Sequence, residues 1–315
     1  MFKYLLIFLS LFSCLTTLFA VDLQIITYNV NLLPNIPISS LTKNLNRPFQ
    51  RAKLIPEHLK TADIVALQEA VDPIMRLMIS NRMKDLGFTY KTPVVGSPWC
   101  HPLHPALLNG GVIIYSKYKF VGSPQQLIYP RSTGWESISN KGAMYVPIEK
   151  DGVIFNIFAT HTQSVSTGTE KAPKQMIKLH DQINHLATFI SNLNIPANQP
   201  ILVLGHFNSN SGNIHQQEKS QYPLYLDLIN TLNAKLAPPY STDSLPYSYD
   251  TVTNSMATDQ GPQETLDYIF CLKSHPCPST GSTTIFKITD SSLGNKPDLS
   301  DHYPIQAQLH YDLSQ

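Results

Sequence analysis

The chain has 315 residues, 24 of them proline and 14 glycine, with 42% apolar and 14% charged residues. That length suits one large domain or two small ones, and the apolar content and varied composition exclude wholesale disorder. Lys and Arg number 23 against 22 Asp and Glu, a formal charge of +1, so no bulk attraction draws the chain to a polyanion and a nucleic-acid partner is disfavoured.

The N-terminus reads as an export signal. Lys3 precedes Leu5-Leu6-Ile7-Phe8-Leu9 and a further apolar stretch ending at Phe19-Ala20. One positive charge, a short apolar run and a small final residue describe a secretory signal peptide over residues 1–20. Ser10, Ser13, Thr16 and Thr17 interrupt the run and make a retained membrane helix the weaker reading. Cleavage after Ala20 removes Lys3 and leaves 22 basic and 22 acidic residues. Leu11-Phe12-Ser13-Cys14 offers lipidation at Cys14 as a lesser alternative, which Phe12 fits poorly. Among the remaining cysteines, Cys271 and Cys277 can close a short disulfide loop in an oxidising compartment, and Cys100 is left over.

Along the mature chain, residues 23–28 alternate like a strand, and residues 47–60 have helical spacing that Pro56 should kink or divide. Residues 64–67 form a short buried strand ending at Gln68-Glu69, and residues 74–86 a helix closed by Gly87. Residues 111–115 and 153–159 read as central strands, 175–193 as the longest helix, and 201–204 as another buried strand. Strands at 268–270 and 305–310 complete a single α/β domain over residues 21–315 with no linker.

Polar residues recur where these apolar runs stop: Asn29, Gln68-Glu69, His161 with Gln163, His206 with Asn208, and Asp301-His302 before the last strand. Singly, each is an ordinary turn or cap residue. Together they are oxygen and nitrogen donors without thiolates, a set that suits a hard divalent cation and a phosphoryl substrate.

Thr27-Tyr28-Asn29-Val30, Leu67-Gln68-Glu69, Thr160-His161-Thr162-Gln163, Gly205-His206-Phe207-Asn208, Thr265-Leu266-Asp267-Tyr268-Ile269 and Ser300-Asp301-His302-Tyr303-Pro304 stand in one order. That order resembles the endonuclease/exonuclease/phosphatase (DNase I-like) superfamily over residues 24–310. Asn109-Gly110-Gly111-Val112, Ser139-Asn140-Lys141-Gly142 and the segment from Tyr249-Asp250 to Thr253-Asn254-Ser255-Met256-Ala257 look most like its secreted bacterial neutral sphingomyelinases.

The resemblance implies a four-layered α/β/β/α sandwich of two mostly antiparallel sheets. It also implies Mg²⁺, or another divalent cation such as Mn²⁺ or Co²⁺, held by Glu69 with Asn29 beside it. His302 of the Asp301-His302 pair would be the base, oriented by Asp267, with His161 and Asn208 holding phosphate oxygens. The implied protein is a monomer that cleaves sphingomyelin or a related phospholipid at a membrane surface, giving ceramide and phosphocholine.

The chain departs from the family twice. The family's Gly-Asp-x-Asn reads Gly205-His206-Phe207-Asn208, which leaves three readings: a crippled enzyme, a site recast around histidine, or an engineered or erroneous residue. The family's aromatic-tipped hairpin before the Asp-His pair is missing, since residues 271–299 hold Phe286 as their only aromatic. Trp99 in the proline-rich stretch 97–105 is an alternative membrane contact, and His101 with His104 there is a weak metal pair. A secreted DNase I-like nuclease and a catalytically weakened phospholipid-binding protein are the competing functions.

Overall fold

A computed structural model describes residues 18–34, 46–97, 106–216, 222–257 and 261–314. Trp99, Cys100, His101 and His104 lie outside the described residues, as does Cys14. The first half comprises β1 (Leu18–Leu32), α1 (Pro48–Leu59), β2 (Ile64–Ala70), α2 (Pro73–Asp85), β3 (Tyr90–Lys91), β4 (Leu108–Asn109) and β5 (Ile113–Ser116). Then come β6 (Gln125–Ile128), β7 (Ser139–Asn140), β8 (Gly142–Lys150), β9 (Val153–His161), α3 (Ala172–Asn192) and β10 (Ile201–His206). The last part holds α4 (Pro223–Thr231), β11 (Ala234–Leu236), β12 (Asp267–Leu272), β13 (Thr280–Ile285) and β14 (Ile305–Ser314).

Two sheets of six strands form, in the orders β13-β14-β1-β2-β5-β3 and β11-β12-β10-β9-β8-β6, with β4 and β7 paired separately. Each large sheet is antiparallel except for one pair, β1 with β2 in the first and β9 with β10 in the second. A helix bridges each parallel pair, α1 and α3 respectively, because parallel neighbours need a crossover connection.

The apolar runs are continuous because both faces of the strands are covered. Ile25, Ile64, Ala66 and Ile114 of one sheet meet Ile157, Leu202, Leu204 and Ile269 of the other in the central core. Their alternates Ile26, Val65 and Leu67 turn outward under α1 and α2, while Phe158, Val203 and Phe270 turn outward under α3 and α4. The α/β/β/α layering follows directly from this alternation.

The helices at 74–86 and 175–193 appear within a few residues of their expected bounds. Asp72 caps α2 by accepting from the N–H groups of Ile74 and Met75. Pro56 does not divide α1, which runs unbroken through it; burial of Ala52, Ile55 and Leu59 on either side offsets the one hydrogen bond that proline removes. The strand near 111–115 is not central, because only the two-residue β3 lies beyond β5. The β8–β9 hairpin escaped the sequence reading, although its turn is Asp151-Gly152 with φ of 49° and 79°, the signature of a tight type I′ connection.

Cys271 and Cys277 are joined as a disulfide. Phe286 packs partly buried against the α1/α2 layer, so it is no exposed tip. β1 begins at Leu18, so cleavage after Ala20 would trim Leu18, Phe19 and Ala20 from a strand that stays paired with β14 beyond them.

Candidate active site

The parallel pairs set the location. β1, β2, β9 and β10 all end at the same rim of the sandwich, and their C-terminal residues are the polar ones. Across the second sheet, His206 is in register with His161 on one side and with Asp267 on the other. Across the first, Asn29 is in register with Gln68, next to Glu69. His302 stands in the turn before β14, the neighbour of β1. A cleft of about 330 Å³ opens between these strand ends, lined among others by Glu69, His161, His206, Asn208, Glu264 and His302.

Asp267 is the hub. It is 1% exposed, and its Oδ1 accepts from His206 Nδ1 at 2.9 Å while its Oδ2 accepts from His302 Nδ1 at 2.7 Å and from Ser248 Oγ at 2.7 Å. Burial opposes its charge, but His302 and His206 outweigh this and hold the carboxyl far below the usual carboxylate range. A carboxylate only accepts, so both imidazoles carry a hydrogen on Nδ1 and keep Nε2 for the cleft. Burial also opposes charge on His302, yet Asp267, then Asp301 and Glu69, raise it to about 9.

His161 is held differently. Lys141 Nζ lies 2.9 Å from its Nε2 and also donates to the carbonyl of Thr162 at 2.6 Å and to Glu136. An ammonium only donates, so Nε2 of His161 accepts and its hydrogen sits on Nδ1. That Nδ1 is buried without a partner among the described residues. Burial, then Lys141, then His206 and His302 push His161 well below the ordinary histidine pKa, so the ring is neutral. Asn208, at a φ of 51°, spends one amide hydrogen on the carbonyl of Thr162 at 2.9 Å.

Glu69 also adopts a positive φ, 56°, and Gly111 makes room for it. A Cβ on Gly111 would lie 2.9 Å from Glu69 Cα, and Gly111 itself has a φ of +70°. Asn29 Nδ2 donates to Glu69 Oε1 at 3.0 Å, while Asn29 Oδ1 is taken by the N–H of Asn31 at 3.1 Å. Asn29 therefore orients the carboxylate rather than adding a free oxygen beside it. Burial, then the charge of Asp301, raises the pKa of Glu69. Asp301 does not line the cleft and touches Ser300 Oγ at 3.2 Å, so it acts on Glu69 and His302 through its field.

A divalent cation fits Glu69, a hard oxygen donor at the cleft wall whose charge burial and Asp301 both destabilise. His206, Asp267 and His302 also offer ligand atoms within 4.8 Å of one another. Both Asp267 oxygens are already engaged by three donors, which makes that trio a hydrogen-bonded buttress rather than a cage.

The sequence reading assigned no role to Lys141, Glu136, Ser248 or Glu264. Lys141 stood inside a quoted motif. Ser248 has no local signal, because its partner Asp267 is distant in sequence. Glu136 stands near Lys141 in sequence, but its other partners are distant, the N–H of Ser164 donating to it at 2.9 Å.

A profile of the Endonuclease/Exonuclease/phosphatase family matches residues 26–302. Sphingomyelinase C 2 of Leptospira interrogans serogroup Icterohaemorrhagiae serovar Lai (strain 56601) is 30% identical over 314 residues, covering 93% of this chain and 47% of its own length. The chain thus spans about half the length of the Leptospira relatives it matches. Sphingomyelinase C of Listeria ivanovii is 29% identical over 82% of this chain and 78% of its own. The crystal structure of a doubly substituted Staphylococcus aureus beta toxin with bound magnesium ions superposes with a TM-score of 0.77 at 27% identity, over 92% of this chain and all of that one. The family profile spans most of the chain and the superposition agrees with it, so the chain belongs to the endonuclease/exonuclease/phosphatase family.

Proposed function

We propose that this protein is a secreted, divalent-cation-dependent phosphodiesterase of the phospholipase C type that hydrolyses sphingomyelin or a closely related choline phospholipid. The family and its sphingomyelinase C and phospholipase C relatives support a phosphoric diester hydrolase. The observation that carries the reading is the Asp267–His302 hydrogen bond of 2.7 Å beside Glu69 in one cleft. Export rests on the sequence of residues 1–20, of which 1–17 lie outside the described residues.

His302 Nε2 faces the cleft, and the neutral form of the ring, which a cation on Glu69 would favour by offsetting one of the charges that raise its pKa, removes a proton from the attacking water. Asp267 holds the ring in the required tautomer and offsets the imidazolium charge. The unpartnered Nδ1–H of neutral His161 and the second amide hydrogen of Asn208 are donors for non-bridging phosphate oxygens as charge builds in the transition state. Lys141 adds a fixed positive charge behind His161. A cation on Glu69, Mg²⁺ being the first choice, would supply Lewis-acid stabilisation of the phosphoryl group.

A nuclease is the less supported reading, because the balance of 23 basic to 22 acidic residues provides little attraction for a phosphate backbone. Phosphocholine release from sphingomyelin liposomes, with Mg²⁺ and with chelator, tests the proposal. Chelator-sensitive release is expected; folded protein that releases none, yet degrades DNA, would overturn it.

A further inference from the structure

We infer that His206 is a second acid–base group of this site, giving a proton to the leaving oxygen while His302 takes one from the attacking water. The inference rests on the phosphodiesterase reading and deepens it by assigning the residue that stands at the family's aspartate position.

The geometry of Asp267 carries it. One carboxylate spends one oxygen on each imidazole, at 2.9 Å to His206 and 2.7 Å to His302. Both rings are consequently locked in the same tautomer, and neither Nε2 has a protein partner among the described residues. His206 and His302 both line the cleft, with centroids 4.7 Å apart and planes at 89°. A histidine buried for structure alone would satisfy both nitrogens, as buried polar groups generally do. His206 instead is 4% exposed, tied down at Nδ1 and open at Nε2.

Two imidazoles beside one carboxylate form a pair that holds one extra proton without excess charge, and the step starts from the form in which that proton is on His206 and His302 is neutral. In the step proposed, a bond forms between the water oxygen and phosphorus, and the bond from phosphorus to the leaving oxygen breaks. One proton passes from water to His302 Nε2 and another from His206 Nε2 to the leaving oxygen. The step ends with His302 charged and His206 neutral, and exchange with solvent restores both. His161 does not supply that proton: the Lys141 ammonium occupies its Nε2 and the ring is neutral, so its one hydrogen, on Nδ1, serves in a hydrogen bond and is not given up.

Leaving-group chemistry tests this. His206→Asn keeps a donor for Asp267 and lacks the second nitrogen; His206→Gln serves as an independent second variant should the first not fold. Each is assayed with Mg²⁺ on sphingomyelin in detergent micelles, whose alkoxide needs a proton, and on p-nitrophenyl phosphocholine, whose phenolate leaves without one. The expected result is a loss of about 10²–10⁴ in kcat on sphingomyelin and of less than about tenfold on the nitrophenyl ester. His302→Gln should lose activity on both. Equal losses on the two substrates, or none on sphingomyelin, overturn the donor role and leave the phosphodiesterase reading standing. Wild-type protein with no chelator-sensitive turnover of either substrate overturns that reading and the donor role with it.

Discussion

Arg51 Nη1 donates to the carbonyl oxygen of Leu299 at 2.8 Å, fastening α1 to the turn that presents His302. The same fully buried guanidinium reaches the carbonyls of Val30 at 2.9 Å, Asn31 at 2.7 Å and Asn46 at 2.9 Å. Burial lowers its pKa, and Tyr28, Asp301 and Glu69 oppose that shift. Arg51→Ala strands four carbonyls and opens a cavity under the site, so a stability loss on the order of 3 kcal/mol is expected from urea unfolding. Arg51→Lys should recover only part of it, since an ammonium cannot reproduce the planar fork. A loss below about 1 kcal/mol for the alanine variant would mean that water replaces the guanidinium.

Asp267→Asn removes the charge shared by both imidazoles. An amide presents a single acceptor oxygen, so one histidine loses its partner or adopts the wrong tautomer. A kcat loss of about 10²–10⁴ is expected, with His302 titrating well below the value of about 9 it has beside the carboxylate. Steady-state kinetics and NMR titration of His302 read the two effects separately. Unchanged titration of His302 would show that Asp267 is not its principal electrostatic partner.

The raised pKa of His302 makes a stability prediction. Its folded value of about 9 lies above an ordinary histidine near 6.5, so the protonated ring favours the folded state. That contribution is complete below about pH 6.5 and disappears as the pH rises through about 9. The melting-temperature gap between wild type and His302→Gln should therefore be larger near pH 6 than near pH 10. Glu69 is one of the charges raising His302, so adding Mg²⁺ should shift the His302 titration downward. An unchanged titration with saturating Mg²⁺ would place the cation away from Glu69.

Gly111→Ala tests the backbone approach beneath Glu69. The new methyl would sit 2.9 Å from both Glu69 Cα and Val71 Cγ2, at a φ of +70° that alanine resists. Expected outcomes are a weaker Mg²⁺ requirement curve, shifted to higher concentration, and a stability loss of about 1–3 kcal/mol. Gly87→Ala is the control: its φ is also positive, at +93°, but a Cβ there meets nothing within 4 Å, so only the backbone cost applies. Equal Mg²⁺ curves for the two variants would refute a specific role for the approach to Glu69.

Much of this protein was legible in one dimension, because strand and helix periods and strand-end polar residues are local properties. The run at 64–67 announced a strand buried on both faces, and the Gln68-Glu69 that stops it announced the site. Family order supplied what periodicity could not, namely two sheets rather than one and Asp267 as the partner of His302. Pro56 misled because helix continuity is decided by burial of Ala52, Ile55 and Leu59 against the sheet, which outweighs one lost hydrogen bond. The Asp151-Gly152 turn carried a usable signal for the β8–β9 hairpin that the apolar pattern alone obscured.

The sequence by itself determined the family, the layered architecture and the residues that gather at the rim. Only tertiary structure decided what surrounds His206 there. Register across β9, β10 and β12 sets His161, His206 and Asp267 side by side, and the turn before β14 in the other sheet brings His302 to the second oxygen of the same carboxylate. Lys141 and Glu136 likewise acquire their place only when β8 pairs with β9 and carries the ammonium to His161. Hydrogen-bond partners separated by 35 and 61 residues leave no local pattern to read, because their geometry exists only once the chain has folded.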